Sequence, residues 1–222
     1  MDGVLQEILK ARVYEIAKRT PLELAPSLSR DTGQRIFIKR EDLQPIFSFK
    51  IRGAYNRIAA LPETVRAHGV ICASAGNHGQ GVALSASRLG IPAWVVMPTT
   101  TPDIKVQSVA RFGAQVVLAG DHYSQAYEHC MSLIESTGAT MIHPFDDPLV
   151  IAGQGTIGKE IFEDCPKVDA IFVPVGGGGL LAGIATYVKA IAPHVKVYGV
   201  EPEDSDAMTK SVAADERIIC LL

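Results

Sequence analysis

Paired cysteines, long apolar runs and blocks of charge are all missing from this sequence, and their absence removes whole classes of protein. Its four cysteines (Cys72, Cys130, Cys165, Cys220) stand far apart with no C-x-x-C pair, so neither a zinc ribbon nor a disulfide framework is expected and buried free thiols are the default. The six histidines are equally dispersed, and no metal site is expected. No apolar run approaches the ~18 residues of a membrane span. Residues 1–7 have neither the cationic start nor the apolar core of a secretory signal. Charged residues make up only 20% of the chain, and the net charge of -3 is spread without runs, which leaves no basic stripe for nucleic acid or an anionic membrane. These absences predict a soluble, cytoplasmic protein and argue against a polyanion partner.

Apolar residues are plentiful, at 47% of 222 residues, enough to bury one large core or two small ones. Val4, Leu5, Ile8, Leu9, Val13, Ile16 and Ala17 recur at near-helical spacing and predict a helix over 3–18, closed by Thr20-Pro21. A short β-rich run at 35–40 and a loop at 41–45 precede a helix expected over 49–61. From there the pattern is regular, with strands at 69–74, 93–97, 115–118, 140–143, 170–175 and 196–200. Helices are expected between them at 79–89, 102–112, 123–136, 148–163 and 180–192. Apolar strands alternating with amphipathic helices predict an α/β fold of parallel sheet covered on both faces, with ligands at the carboxyl ends of the strands.

Three features in this frame carry chemistry. Lys50 lies between apolar neighbours in Ser48-Phe49-Lys50-Ile51-Arg52-Gly53-Ala54; it is either a lysine snorkelling to water or an amine made nucleophilic by desolvation. The loop Ser74-Ala75-Gly76-Asn77-His78-Gly79 follows a strand and opens a helix, a place for a carboxylate or phosphate on backbone N–H groups; the alternative is a tight turn with Asn77 as N-cap. The loop Gly176-Gly177-Gly178-Gly179-Leu180 also opens a helix, and four consecutive glycines carry an entropic cost that points to a ligand against the main chain, phosphate above all. Gly177-x-Gly179-x-x-Ala182, with Glu201 about 20 residues on, equally fits a dinucleotide fingerprint, so an NAD-binding domain of an oxidoreductase is the rival reading. A third glycine loop, Gly153-Gln154-Gly155-Thr156-Ile157-Gly158-Lys159-Glu160, nearly matches a P-loop but has Glu160 where Ser or Thr is needed, and reads as a helix with glycines for close packing.

In order and spacing, Ser48-Phe49-Lys50-x-Arg52-Gly53-Ala54, Ser74-Ala75-Gly76-Asn77-His78 and the tetraglycine resemble the fold-type II pyridoxal phosphate enzymes, and within them the threonine dehydratases, over about residues 13–203. The segment Lys39-Arg40-Glu41-Asp42-Leu43-Gln44-Pro45 is similar to the biosynthetic, isoleucine-pathway branch. The resemblance implies two open, mainly parallel sheets: a large cofactor-binding domain at 1–45 and 147–222, and a small α/β domain at 46–146. It implies pyridoxal 5'-phosphate as cofactor, with Lys50 forming the Schiff base and moving the Cα proton, and Phe49 covering one ring face. Asn77 would bond the 3-oxygen, and Gly176, Gly177, Gly178, Gly179 and Leu180 would hold the phosphate. Ser74, Gly76 and His78 would line the substrate-carboxylate pocket. The implied reaction is deamination of L-threonine to 2-oxobutanoate and ammonia, or of L-serine to pyruvate, in a homo-oligomer that is by family habit a tetramer. Serine racemases and serine dehydratases share most of these motifs.

The resemblance also implies a serine or cysteine facing the pyridine nitrogen, in a motif beyond Leu222. The tail Ile218-Ile219-Cys220-Leu221-Leu222 ends on apolar residues, which predicts a truncated chain with an incomplete second domain. Its activity is then expected to be impaired, or its role reduced to associating with full-length subunits.

Overall fold

A run such as Val70-Ile71-Cys72-Ala73, apolar at every position, suits a strand covered on both faces. The computed structural model, which describes residues 2–218, is built around such strands. In chain order the elements begin α1 (Asp2–Lys10), β1 (Leu22–Leu24), α2 (Pro26–Thr32), β2 (Phe37–Lys39), α3 (Lys50–Ala59), α4 (Glu63–Arg66), β3 (Val70–Ala73), α5 (Asn77–Leu89) and β4 (Ala93–Met97). They continue with α6 (Asp103–Ala110), β5 (Gln115–Leu118), α7 (Tyr123–Thr137), β6 (Thr140–Met141), α8 (Pro148–Asp164), β7 (Ala170–Pro174), α9 (Gly179–Ile191), β8 (Lys196–Val200) and α10 (Ala207–Ala214). Two compact units result: Arg12–Pro144, and residues 2–11 together with 145–218.

In the Arg12–Pro144 unit a parallel sheet runs in the order β5-β4-β3-β6. Val70 and Cys72 join Ala54, Ile58, Val82, Val95 and Met97 in one core, while Ile71, Ala73 and Val96 join Ala126 and Cys130 in another. The alternation of a pleated strand thus feeds two cores, with α3 and α5 on one face of the sheet and α7 on the other. Cys72 and Cys130 are buried free thiols. β1 and β2 form a separate antiparallel pair.

The other unit holds β7 and β8, parallel and in register at Phe172 and Tyr198. Its helices α8 and α9 meet through glycine: a side chain at Gly183 would strike Ile151 O and lie 2.6 Å from Gly155 N. The near-P-loop segment sits inside α8, where Gly155 receives Ile8 of α1 and a Cβ on Gly158 would stand 3.3 Å from Ile184 O. Those glycines serve helix packing, as the sequence predicts. No helix among the described residues is long and apolar enough to cross a membrane.

Several expectations are revised. The helix expected over 3–18 ends at Lys10 and is followed by a 3-10 turn at Val13–Glu15. The backbone N–H of Arg12 donates to Asn56 Oδ1 at 3.0 Å instead of continuing the helical ladder. The apolar stripe is two stripes in succession, Ile8 being buried in one unit, Val13 and Ala17 in the other. By contacts within this chain, residues 12–45 group with the Arg12–Pro144 unit, a grouping that does not bear on the expected domain division at 1–45, 46–146 and 147–222. Fully buried Arg52 of α3 pairs with Glu41 at 2.7 and 2.8 Å, and Gln44 exchanges hydrogen bonds with the Lys18 backbone. α2, opened by Pro26 and closed by Gly33 at φ 67°, and α10 have too little apolar periodicity to be read from sequence. Of the expected apolar tail, residues 219–222, including Cys220, lie outside the described residues.

Candidate active site

Lys50 is the first residue of α3, placed there by the turn at Phe49, and its Nζ donates to the Pro144 carbonyl at 2.6 Å. The amine lies 5.5 Å from the centre of the Phe49 ring. Burial lowers its pKa to about 8, because a carbonyl and an aromatic face offer an ammonium less than water does. This is not a snorkelling lysine: the ammonium end, not only the stem, is withdrawn from solvent. Ser48 Oγ accepts from the Lys50 backbone N–H at 3.3 Å, and Arg52, early in the same helix, is locked by Glu41. The lysine therefore stands on a rigid support.

In the same unit the loop after β3 opens α5. Gly76, not Asn77, is the cap residue, no side chain caps the helix, and Asn77 lies exposed in the first turn. The N-cap alternative for Asn77 is excluded, and the α5 amides stay without a side-chain cap. Ser74 Oγ accepts from Gly76 N at 3.2 Å. Gly79 and Gly81 are needed for packing: a Cβ would stand 2.9 Å from Ser74 O at the first and 3.2 Å from Lys50 O at the second. At Gly76 a Cβ would meet nothing within 4 Å. His78 is buried, its Nε2 2.8 Å from Ile142 O, and Nδ1 has no hydrogen-bond partner among the described residues. Burial, with Lys50 and His143 nearby, pushes its pKa down to about 3.

The tetraglycine is in the other unit, between β7 and α9. Gly178 caps α9 at φ 86°, where a side chain would be strained. Phe145 occupies the space a side chain on Gly177 would need, and a Cβ on Gly179 would lie 2.6 Å from Phe145 O. Three of the four glycines thus have a structural reason the sequence does not reveal. Gly176 has none: it is exposed, and a Cβ there would meet nothing within 4 Å. The loop borders a cavity of about 980 Å3, lined also by Phe145, Leu181, Met208 and Glu201. Leu180 is half-buried beside it in the first turn of α9.

Glu201, the acid that a dinucleotide site needs for its ribose, is already occupied. Its two oxygens accept from Met208 N, Thr209 N and Thr209 Oγ1 at 2.8 to 2.9 Å and cap α10. The NAD reading fails on that point. Phe145 and the Pro144 carbonyl carry no sequence signal, whereas Arg52, two positions from a lysine in an apolar stretch, could have been singled out as its buried anchor.

Taken separately, each unit has a group suited to part of pyridoxal phosphate: in one a desolvated amine for an aldehyde, in the other an uncapped helix N-terminus behind an open glycine for a phosphate. Residues 13–220 match the family model described as "Pyridoxal-phosphate dependent enzyme". The chain is 58% identical over 216 residues to "Threonine dehydratase biosynthetic, chloroplastic" of Arabidopsis thaliana, covering 97% of this chain and 36% of the relative. It thus spans little more than a third of that relative's length. The structure of the processed form of threonine deaminase isoform 2 from Solanum lycopersicum superposes with a TM-score of 0.94 at 51% identity, over 97% of this chain and 59% of that one. Maize serine racemase gives a TM-score of 0.94 at 36% identity, over 98% and 66%. With the matched family model spanning nearly all of its residues, the chain belongs to the pyridoxal-phosphate dependent enzyme family.

Proposed function

We propose that this chain carries cofactor- and substrate-binding parts of an ammonia-lyase that converts L-threonine to 2-oxobutanoate and ammonia, and L-serine more slowly to pyruvate, as the first step of isoleucine biosynthesis. The observation that carries the reading is Lys50, an amine at about pKa 8 on a rigid helix start. At pH 7.5 roughly a quarter of such an amine is neutral, against about one in a thousand for an ordinary lysine. The choice of threonine rests on the relatives: identity is 58% to the threonine dehydratase and 36% to the serine racemase.

Lys50 would be the point of covalent attachment and, once displaced by the amino acid, would take the Cα proton on Nζ. Pyridoxal phosphate, when bound, supplies the electron-withdrawing ring that makes this proton removable. Phe49 offers an apolar face for that ring, and exposed Asn77 a donor for its 3-oxygen. Gly176, Gly177, Gly178, Gly179 and Leu180 would present the α9 amides to the phosphate. Ser74, Gly76 and His78, at the start of α5, would receive the substrate carboxylate. A homotetramer and a cytoplasmic location complete the proposal; the Arabidopsis thaliana relative is named chloroplastic, so cell fractionation decides the compartment and sedimentation the assembly.

The test is reconstitution. The purified chain with pyridoxal phosphate is expected to turn yellow, to lose that absorbance on borohydride reduction with the label on Lys50, and to release 2-oxobutanoate from L-threonine. A colourless protein, or a label on another lysine, overturns the reading.

A further inference from the structure

The tetraglycine has no side chain with which to hold itself. Glycine takes positive and negative φ about equally well, so the way residues 177–179 present their amides is set by what packs against them. Phe145 fills the space beside Gly177 and Gly179, and a Cβ on Gly178, the residue that caps α9 at φ 86°, would lie 2.8 Å from the Met208 methyl. Met208 stands in the first turn of α10, and no residue of that helix is buried. No core contact of its own therefore fixes the helix in place. Glu201 ties it down instead: Oε1 accepts from Met208 N at 2.9 Å, and Oε2 from Thr209 N and Thr209 Oγ1 at 2.8 Å. Glu201 and Gly176 leave the sheet side by side, since Val175 N donates to Val200 O at 2.8 Å just before them. The carboxylate, Met208 and all four glycines line the same cavity of about 980 Å3.

We propose that Glu201 is a positioning residue for the tetraglycine loop: by capping the first turn of α10 it holds Met208 against Gly178, and so keeps the start of α9 in the conformation that receives a phosphate. The inference rests on the ammonia-lyase reading, in which this loop holds the cofactor phosphate, and adds to it a residue that acts on the cofactor only through the loop. The three hydrogen bonds are charge-assisted and lie at the positive end of the α10 dipole, so a neutral side chain in the same place caps more weakly. A glutamine there also turns an NH2 group toward backbone N–H donors that need an acceptor. Lys50 is expected to be indifferent to the change, because its supports, Ser48, the Arg52–Glu41 pair and the Pro144 carbonyl, all belong to the Arg12–Pro144 unit.

The test begins with the chain free of cofactor and its glycines labelled with 15N. In Glu201→Gln the amide resonances of Gly177, Gly178 and Gly179 are expected to shift or broaden, while those of Gly79 and Gly81 stay in place. Glycine-loop resonances that do not respond overturn the proposal whether or not the protein binds pyridoxal phosphate. The second measurement compares two aldehydes that differ only in the phosphate. Glu201→Gln is expected to bind pyridoxal 5'-phosphate about five- to tenfold more weakly, the worth of a helix cap, and to trap pyridoxal on Lys50 under borohydride as the wild type does. Undiminished affinity for pyridoxal phosphate, or an equal loss for both aldehydes, shows that Glu201 does not act through the phosphate loop. Met208→Ala is expected to reproduce the split and Met208→Leu, which restores the contact, to abolish it; these two variants carry the same test should Glu201→Gln fail to fold. Met208→Ala with wild-type affinity for pyridoxal phosphate overturns the proposal. A wild-type chain that binds neither aldehyde has failed the ammonia-lyase reading, and the glycine resonances still decide whether Glu201 governs the loop.

Discussion

A lysine whose pKa falls to about 8 is a charge held where the fold would be more stable without it. The unfolded chain binds the proton with the ordinary lysine value of 10.5, so between about 8 and 10.5 the unfolded state carries more protons and stability rises with pH. The penalty is fully present below about pH 8 and relieved above 10.5. Lys50→Met is therefore expected to stabilise the chain at pH 7 by about 1–3 kcal/mol, while abolishing borohydride-trapped pyridoxal phosphate. Thermal unfolding of both proteins from about pH 7 to 10.5 checks this: a gap that does not narrow with rising pH would refute the burial argument. At this scale the sequence is informative about identity and poor about role. A lysine among apolar residues and two glycine loops are visible in one dimension, but Phe145, which explains two of the glycines, is an isolated aromatic with no pattern around it. The hydrogen-bond partner of the His78 ring is a carbonyl 64 positions away.

Elements are legible where one face alternates with another at a regular period. β3, β4, β5, β7 and β8 emerge within about a residue of their expected ends, because an apolar run of four or five bounded by glycine or proline has few other uses. The single helix expected over 3–18 fails because Ile8 and Val13 satisfy one helical period while packing in different units. Residues 12–45 group with the Arg12–Pro144 unit, where a polar network adds to the buried Val13 and Ala17. Arg52 reaches Glu41 through two parallel hydrogen bonds, with Thr20 and Gln44 on the same carboxylate. Removing one partner strands a buried charge, so Glu41→Gln or Arg52→Met is expected to cost about 3–5 kcal/mol. The double variant Glu41→Gln/Arg52→Met should recover most of that loss, since neither charge is then left alone. Denaturant unfolding of the three variants checks it, and additive costs in the double variant would mean that the two side chains act independently.

At the scale of the whole chain, the two parallel sheets differ in how they are covered. β3 is buried on both faces, whereas β7 and β8 bury Ile171 and Val173 on one face and leave Phe172 67%, Tyr198 42% and Val200 49% exposed on the other. Phe172 and Tyr198 stack across the strands at 5.0 Å. Strands apolar on both faces suit a covered parallel sheet, and an apolar sheet face open to water favours association. The isolated 222-residue chain is accordingly expected to self-associate with rising concentration through this face, and the effect should grow with salt, because burial of apolar area and not charge drives it. Phe172→Ser/Tyr198→Ser, which replaces the stacked pair on the solvent side and leaves Ile171 and Val173 in place, is expected to weaken that association by about tenfold or more, the worth of a partly exposed aromatic pair. Sedimentation velocity across a concentration series separates the outcomes: a wild-type chain that remains monomeric, or a double variant that associates as strongly as the wild type, would show that this face is tolerated by water as it stands.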